Sequence, residues 1–507
     1  MWLTFYPVSG ITPKALRQYC KPYDGGYMNT SFFIALIAYL LVFMTVGVLD
    51  RKKVRSFADY AAAGKTQNTF TVVMTLLATI LGASTTIGIT DTVYRIGFPG
   101  VWWLSFGAVG LVLQACFLSV RVRRMNADTL PDLAKKTVGR SAELLIAFII
   151  VVSWVGVVAG QLVAMNSLIS FALGRQSALL FAVVSLVVIG YTAAGGQLSV
   201  IKTDRLQLCI IIASVIACAL YLYFVRGGNS GAVLQGIELV NGSYRPFNLV
   251  NQFFVIGGVY FLGPDILSRN FISRDGTTAR RSAFFAGLAV LLFSLLITAI
   301  GMWLRCNVSP EEKGGTAALL YAVSLLPKGL AVLLLFGLLS AILSSTDTCI
   351  INAASIFAKD ILKTERVGVV RAAVLCIGLL AFTLAQLGRG DILTLLTGAY
   401  SFYTPGVIFP LTVAILAHER QGVRTRLWLS AVAAGGLFGL AASYCPGLLT
   451  AAGLSPALVQ QFPLIGMGLS LILSLCSVRQ KSVNRQGSEN RQAADGGQEN
   501  GHSREAR

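Results

Sequence analysis

Charged residues are scarce in this chain. Only 12% of its 507 residues are Asp, Glu, Lys or Arg, and 55% are hydrophobic, whereas soluble domains carry about 25% charged residues. Histidine occurs only twice, at His418 and His502, which excludes a histidine-ligated haem chain or an H-E-x-x-H zinc site. The nine cysteines form no C-x-x-C pair, and the sequence has no phosphate-binding G-x-x-x-x-G-K-S/T loop. No motif therefore supports an enzymatic role.

Apolar runs of membrane-spanning length fill most of the chain instead. Their length and composition predict an all-α polytopic membrane protein with about thirteen transmembrane helices. The predicted spans are 31–49, 70–90, 101–120, 142–172, 177–195, 204–225, 248–271, 283–304, 329–357, 370–388, 392–417, 428–446 and 462–478.

The net charge of +19 is distributed in short clusters between these spans, as at 51–55, 121–124, 135–136 and 280–281. Alternating the spans across a bilayer places nearly all of the clusters on one side. Basic loops stay on the cytoplasmic side, so the sequence predicts a multi-pass protein of the cell membrane with its amino end outside and its carboxyl end inside. A basic face on a folded domain, which nucleic-acid binding needs, is not indicated.

The two ends differ from the apolar centre, which spans residues 31–478. Residues 1–30 lack the features of a cleaved signal peptide and are interpreted as an extracytoplasmic leader. Met28 precedes the first apolar run and is an alternative start of the native chain. Residues 479–507 are polar and are predicted to form a disordered cytoplasmic tail.

Two of the predicted spans carry residues that interrupt helices. Span two has glycine and hydroxyl residues over 77–88, and span seven has Gly257-Gly258 followed by Gly263-Pro264. The two interruptions stand five spans apart, the pattern of secondary transporters that are built from inverted repeats and hold ions and substrate at broken helices. Close packing through small residues is the alternative reading of each break.

The ninth span gathers hydroxyls near its middle, at 344–348. Hydrocarbon offers these hydroxyls no hydrogen-bonding partner. One explanation is that their neutral oxygens bind an alkali cation. Bonding back to carbonyls of the same helix is the alternative.

Four local motifs resemble the sodium:solute symporter family, which includes sodium/proline and sodium/galactose symporters. S-F-A-D-Y-A-A-A-G-K at 56–65 is similar to the family's D-Y-F-x-A-G-R loop, and I-G-I-T-D-T-V-Y-R-I-G-F-P-G at 87–100 is similar to G-x(5)-Y-x-x-G. G-G-Q-L-S-V-I-K-T-D at 195–204 resembles G-G-L-x-A-V-x-x-T-D, and 341–361 resembles A-x-x-S-S/T … D-x-Y. The resemblance covers about residues 31–478.

The resemblance implies a leucine-transporter-type fold, a ten-helix core of two inverted five-helix repeats at about 70–225 and 248–417. It also implies a sodium site between spans two and nine. Carried over by motif, the ligands are the carbonyls and hydroxyls of Ala78, Leu81, Ala341, Ser344 and Ser345. Asp204 matches an acidic residue near the cytoplasmic end of the sodium route.

The chain departs from its relatives around span seven. Where proline-type members carry G-Q-P-H-I-x-x-R-F, it has Gly263 for the glutamine and Asp265 for the histidine. In span two, Ile80 stands where relatives have asparagine or aspartate. These differences argue against assigning proline or sugar as the solute. The spacing allows Asp265 to pair with Arg269 one helical turn later.

The predicted function is sodium-coupled import of a small polar organic solute by alternating access, with sodium as a transported ion, a solute and lipid as partners, and no nucleic acid. The candidate solute contacts are the uncharged polar residues near the two breaks: Thr85, Thr86, Gln161, Asn251, Gln252 and Tyr260. A proton-coupled carrier that uses Asp204, Asp265 or Asp347 is one alternative. A transporter-like membrane sensor is another, although the short polar tail does not accommodate a kinase domain.

Overall fold

Polar residues lie in the centre of the molecule and large apolar residues cover its outside. The computed structural model describes residues 30–51, 54–387, 392–419 and 421–480. Phe224 and Leu292 are 81% and 69% exposed, while Asp204, Asp347 and Arg269 are at most 1% exposed. Apolar exteriors of this extent need lipid rather than water around them, so the arrangement is that of a membrane protein.

Ten helices in the described part are long and apolar enough to cross a membrane, and a bent helix pair gives an eleventh. The first helix and a reversal inside the longest helix, described below, complete the thirteen predicted spans. In chain order they are α1 (Thr30–Arg51), α2 (Thr69–Ile80 with Ser84–Ile96), α3 (Phe98–Phe117), α4 (Arg140–Leu173), α5 and α6 (178–195 and 197–226, within Ala178–Arg226), α7 (Pro246–Ile272), α8 (Gly276–Asn307), α9 (Lys328–Ile361), α10 (Val367–Gln386), α11 (Ile392–Ala417), α12 (Thr425–Tyr444) and α13 (Pro456–Ser477).

Short helices and two strands connect these spans. The helices are Phe57–Ala62, Ala63–Lys65, Ser119–Arg124, Leu130–Thr137, Ser230–Gln235, Pro310–Lys313, Ala318–Leu325 and Pro446–Ala451. The strands β1 (Gln421–Val423) and β2 (Val478–Gln480) pair antiparallel. The predicted tail thus begins with two residues of β2, and the rest of it, like the predicted leader up to residue 29, lies outside the described residues.

The longest helical segment reverses direction at Gly196, which has φ +62° and ψ −163°. Tyr191, five residues before the turn, bonds to Asp347 of α9. Ser214, eighteen residues after it, lies against Gly337 of the same helix. A straight helix would separate the first pair from the second by about 34 Å, whereas Gly337 and Asp347 are only about 15 Å apart along α9. The segment therefore crosses the membrane twice, as predicted.

Helices α2 and α7 are broken in their middle. The two halves of α2 meet at 61°, and Leu81 at the junction has φ −79° and ψ 59°. In α7 the helix stops at Gly263, whose ψ of 143° is extended, and restarts at Pro264. Proline lacks the backbone donor that a continuous helix needs there. The predicted breaks near Gly82 and at Gly263-Pro264 are confirmed, whereas Gly257 and Gly258 have helical dihedral angles and do not interrupt α7.

The loops that carry most basic residues share one face of the bundle. Contacts join them directly: Gln67 bonds through its backbone to Ile272 and Arg274, and Lys65 lies 2.7 Å from Asp128. We call this the basic face; its cations include Arg55, Lys65, Arg121, Arg123, Arg124, Lys135, Lys136, Lys202, Arg280, Arg281, Lys359 and Arg424. Helix α2 begins at this face and α7 ends at it, so the two broken helices are inverted relative to each other.

Candidate ion and solute site

Two adjacent serines of α9 face the unwound part of α2. The Ser344 hydroxyl donates hydrogen bonds to the carbonyls of Ala78, at 2.7 Å, and Ala341, at 3.2 Å. The Ser345 hydroxyl donates to the carbonyl of Thr79 at 2.7 Å. Both serines are buried, so neutral oxygens of two helices meet at one water-excluded point.

Glycine at position 82 makes this approach of the two helices possible. A Cβ atom there would lie 2.2 Å from the Ser345 hydroxyl oxygen and 2.9 Å from its Cβ. Leu81 ends the first half of α2, and the Gly82 amide bonds to the Ile80 carbonyl at 2.8 Å instead of continuing the helix. The unwinding is what releases the carbonyls near Ala78 from their usual partners.

The structure thus brings together four of the five predicted ligand residues, Ala78, Ala341, Ser344 and Ser345, and places the fifth, Leu81, at the helix break. It adds the carbonyl of Thr79, which sequence reasoning missed. The sequence did contain a signal for this carbonyl. Thr75 and Thr79 lie one helical turn apart on α2, and Thr348 lies one turn after Ser344 on α9, so each pair shares a helix face.

A buried ion pair adjoins the serine site. The Arg269 guanidinium lies 3.5 Å from the Asp204 carboxylate and donates to the hydroxyls of Thr79 and Thr348, at 2.5 and 2.7 Å. The Thr75 hydroxyl also donates to Asp204. Thr79 accepts the bond from Ser345, and Thr75 lies one helical turn closer to the basic face. Asp204, which bonds to Thr75, therefore lies between the serine site and that face.

The pairing of Asp265 with Arg269 that their spacing suggested is not formed. Arg269 turns toward Asp204 on α6 instead, and the Oδ1 atom of buried Asp265 has no hydrogen-bond partner among the described residues. Two hydroxyls and a carboxylate from other helices offer the guanidinium more bonds than one carboxylate on its own helix.

A third buried carboxylate, Asp347, follows the serine pair on α9. It accepts hydrogen bonds from the Tyr191 and Thr192 hydroxyls of α5, both at 2.6 Å. The Asp347 carboxylate therefore faces α5 and not the broken helix α2, and both of its hydrogen-bond donors are uncharged hydroxyls.

Three of the predicted solute contacts lie at the break of α2. The Gln161 amide oxygen accepts from the Ala83 amide at 3.1 Å. The Thr85 hydroxyl donates to the Ile80 carbonyl at 2.9 Å, and that of Thr86 donates to the Gly82 carbonyl at 2.8 Å. These contacts fix the shape of the unwound segment.

The other three predicted contacts are not at a break. Asn251 and Gln252 end a helical turn with no buried residue, about 16 Å before Gly263 along the chain axis, and Gln252 accepts a bond from Tyr244. The Tyr260 ring packs against α3, where a Cβ at Gly107 would lie 2.8 Å from it. Distance along α7 separates Asn251 and Gln252 from the break, and rotation about the helix axis turns Tyr260 toward α3.

A narrow cavity, with room for about one water molecule, lies between the basic face and the break of α7. Elsewhere in the bundle α11 packs closely on α2 and α4, since a Cβ at Gly88 would lie 3.0 Å from Leu393 and one at Gly160 would lie 2.5 Å from Leu396. The cavity is lined by Ala61, Asp128, Thr129, Leu130, Pro264, Phe271, Asn352, Ser355 and Ile356. The buried Ser355 hydroxyl has no partner among the described residues.

Ion pairs border the cavity at the basic face. Asp128 bonds to Lys65 and to Lys359, which joins the loop after α1 to the end of α9. Partial burial raises the pKa of the Asp128 carboxyl, but bonds from the two ammonium groups outweigh it and hold that pKa below its ordinary value. The carboxylate is therefore charged at neutral pH.

The chain is similar to known transport proteins over most of its length. It is 23% identical to the osmoregulated proline transporter of Bacillus subtilis over 422 residues, 76% of this chain and 84% of that protein. It is 25% identical to the sodium/pantothenate symporter of Haemophilus influenzae over 365 residues, 66% of this chain and 72% of that protein.

A solved structure shares the fold. The structure of a Na⁺-coupled sialic acid symporter matches with a TM-score of 0.73 at 17% identity, covering 89% of this chain and 99% of that one. The fold is therefore of the leucine-transporter type, as predicted. The model of the sodium:solute symporter family matches residues 60–422. The chain belongs to the sodium:solute symporter family.

Proposed function

We propose that the protein imports a small polar solute together with sodium by alternating access. The observation that carries the proposal is the serine doublet of α9 against the released carbonyls of α2, with Ser344 2.7 Å from the Ala78 carbonyl and Ser345 2.7 Å from that of Thr79. Family membership supports the coupling to sodium.

The oxygen set suits a desolvated alkali cation. Hydroxyl and carbonyl oxygens are hard ligands, and they replace the water shell without placing a second full charge in the site. A cation that bridges Ala78, Ala341 and the serine pair would fix α9 against the break of α2. Because that break also borders the solute region through Gln161, each ligand would raise the affinity for the other.

The membrane potential and the ion gradient provide enough free energy. One charge moving inward down about 100 mV yields about 2.3 kcal/mol, and a tenfold sodium gradient adds about 1.4 kcal/mol. The sum, about 3.7 kcal/mol, would maintain a solute gradient of about five hundredfold for one ion.

We place the basic face in the cytoplasm. Lysine and arginine are retained on that side of membrane proteins, and this assignment puts the amino end outside and the carboxyl end inside. The cavity that reaches Pro264 then opens a route from the break of α7 toward the cytoplasm.

The solute is expected to be small and either uncharged or zwitterionic. The cavity lining near the break offers Asn352 and Ser355 as hydrogen-bonding groups. The helix that starts at Pro264 directs its positive end toward the break, but the buried carboxylate of Asp265 already lies in its first turn, which disfavours a solute with a net negative charge there. The two relatives carry proline and pantothenate in their names, and of these two only proline is a zwitterion.

A proton-coupled carrier is the second candidate. Asp347 favours it, because this buried carboxylate has two hydroxyl donors and no cation within 4 Å among the described residues. Proteoliposomes separate the two functions: uptake from a panel of amino acids, carboxylates and sugars is measured first with an inward sodium gradient and then with an inward proton gradient. Accumulation that follows the proton gradient alone would overturn the proposal.

A further inference from the structure

Arg269 is a fixed cation at the inner edge of the serine site. Its guanidinium is 1% exposed and is the one cation within 4 Å of Asp204 in the described part of the chain. It shares Thr79 with the serine site, since the Thr79 hydroxyl accepts from Arg269 while the Thr79 carbonyl accepts from Ser345. An ion leaving the serine site toward the basic face therefore meets this guanidinium at Asp204.

We propose, building on the sodium-coupled function above, that Arg269 is a tethered competitor of sodium: it occupies Asp204 when the ion is absent, yields to the ion when it passes, and thereby sets a low sodium affinity that allows release. The two cations compete because one buried carboxylate is the counter-charge for both.

The hydroxyls around Arg269 make such an exchange possible. Thr79 and Thr348 oxygens lie 3.3 Å apart and both accept from the same guanidinium nitrogen. These neutral acceptors can keep the guanidinium solvated while it moves away from Asp204, so the exchange does not leave a bare buried charge.

Arg269 is also linked to the solute cavity. It follows the break of α7 at Pro264 by five residues, and its Nη1 atom lies 3.3 Å from the Ser268 hydroxyl. Ser268 in turn accepts a long bond, 3.5 Å, from the amide of Asn352, which lines the cavity. Solute occupancy at the break would thus change the position of the competing cation.

The first test measures sodium half-saturation by the sodium-dependent rise of the melting temperature of purified full-length protein, with choline chloride replacing NaCl at constant ionic strength. We expect Arg269→Gln to lower the half-saturating sodium concentration about tenfold, as for other linked ligands, and to slow turnover because release becomes limiting. In the Asp204→Asn background the same substitution should have no effect, since the shared counter-charge is gone.

A second pair of variants tests the proposal if removal of the arginine prevents folding. Thr348→Val removes one of the two hydroxyls that keep the guanidinium solvated once it leaves Asp204, and it should therefore raise the half-saturating sodium concentration about threefold, at the weak end of such couplings. Thr346→Val is the matched control, because within the described part of the chain the Thr346 hydroxyl bonds only to the Ile342 carbonyl of its own helix.

The outcomes distinguish the two proposals. If the wild-type protein shows no sodium effect, the sodium-coupled function itself fails. If the wild-type protein responds to sodium but Arg269→Gln does not lower the half-saturating sodium concentration, the competition is refuted. It is also refuted if the substitution changes that concentration equally with and without Asp204. In both cases Arg269 is a structural cation.

Discussion

Substituting alanine for Gly82 tests the contact on which the ion site depends. The added Cβ would meet the Ser345 hydroxyl oxygen at 2.2 Å, the Ser345 Cβ at 2.9 Å and the Gln161 amide nitrogen at 3.3 Å. The first clash can be relieved by rotating the hydroxyl away, but the second requires α2 and α9 to separate, because Cβ moves with the backbone.

The cost follows from these distances. Overpacking of this kind destabilises by about 1–3 kcal/mol, and loss of the bond from Ser345 to Thr79 adds about 1 kcal/mol. If sodium binding must recover a part of this cost, about 1.4–2.8 kcal/mol, the half-saturating sodium concentration rises about 10- to 100-fold.

The assay is sodium-dependent thermal stabilisation, followed by sodium-dependent uptake in proteoliposomes. Gly190→Ala is the matched control, since this glycine also lies within a spanning helix and its Cβ would meet no atom within 4 Å. Alanine there should raise the melting temperature slightly through helix propensity without changing the sodium response. If Gly82→Ala responds to sodium as the control does, the close approach of α2 to Ser345 is not part of the ion site.

Three further predictions address the site, the basic face and the orientation. Ser344→Ala combined with Ser345→Ala should abolish sodium-dependent stabilisation and uptake while leaving a folded protein; concentration of solute in response to sodium by this double variant would refute the ligand assignment. Asp128→Asn should lower stability at neutral pH, and the difference from wild type in chemical unfolding should persist above pH about 4, the ordinary carboxyl pKa, and vanish as the pH falls through the lower folded pKa; a difference that stays constant in acid would contradict the ion-pair role. In a cysteine-free background, Glu238→Cys should react with an impermeant maleimide applied outside cells and Lys135→Cys only after lysis; the reverse pattern would invert the proposed topology.

The site shows where sequence reasoning reaches its limit. Helix-breaking residues are local chemistry, so the breaks near Gly82 and Gly263 were predictable from the chain alone. The contacts of single side chains were not predictable, because they depend on rotation about a helix axis. Tyr260 lies three residues from a break and yet packs on α3, and Arg269 pairs with Asp204 on another helix instead of with Asp265.

The sequence by itself determined that this is a membrane protein, where its helices lie and which of them are broken, because hydropathy, proline and glycine act over short stretches of chain. Tertiary structure alone decided that Thr79 connects the serine pair to a buried charge and that Asp204 and Arg269 meet. These features join segments far apart in the chain, and only the packing of the helices determines which polar groups share the few water-free positions between them.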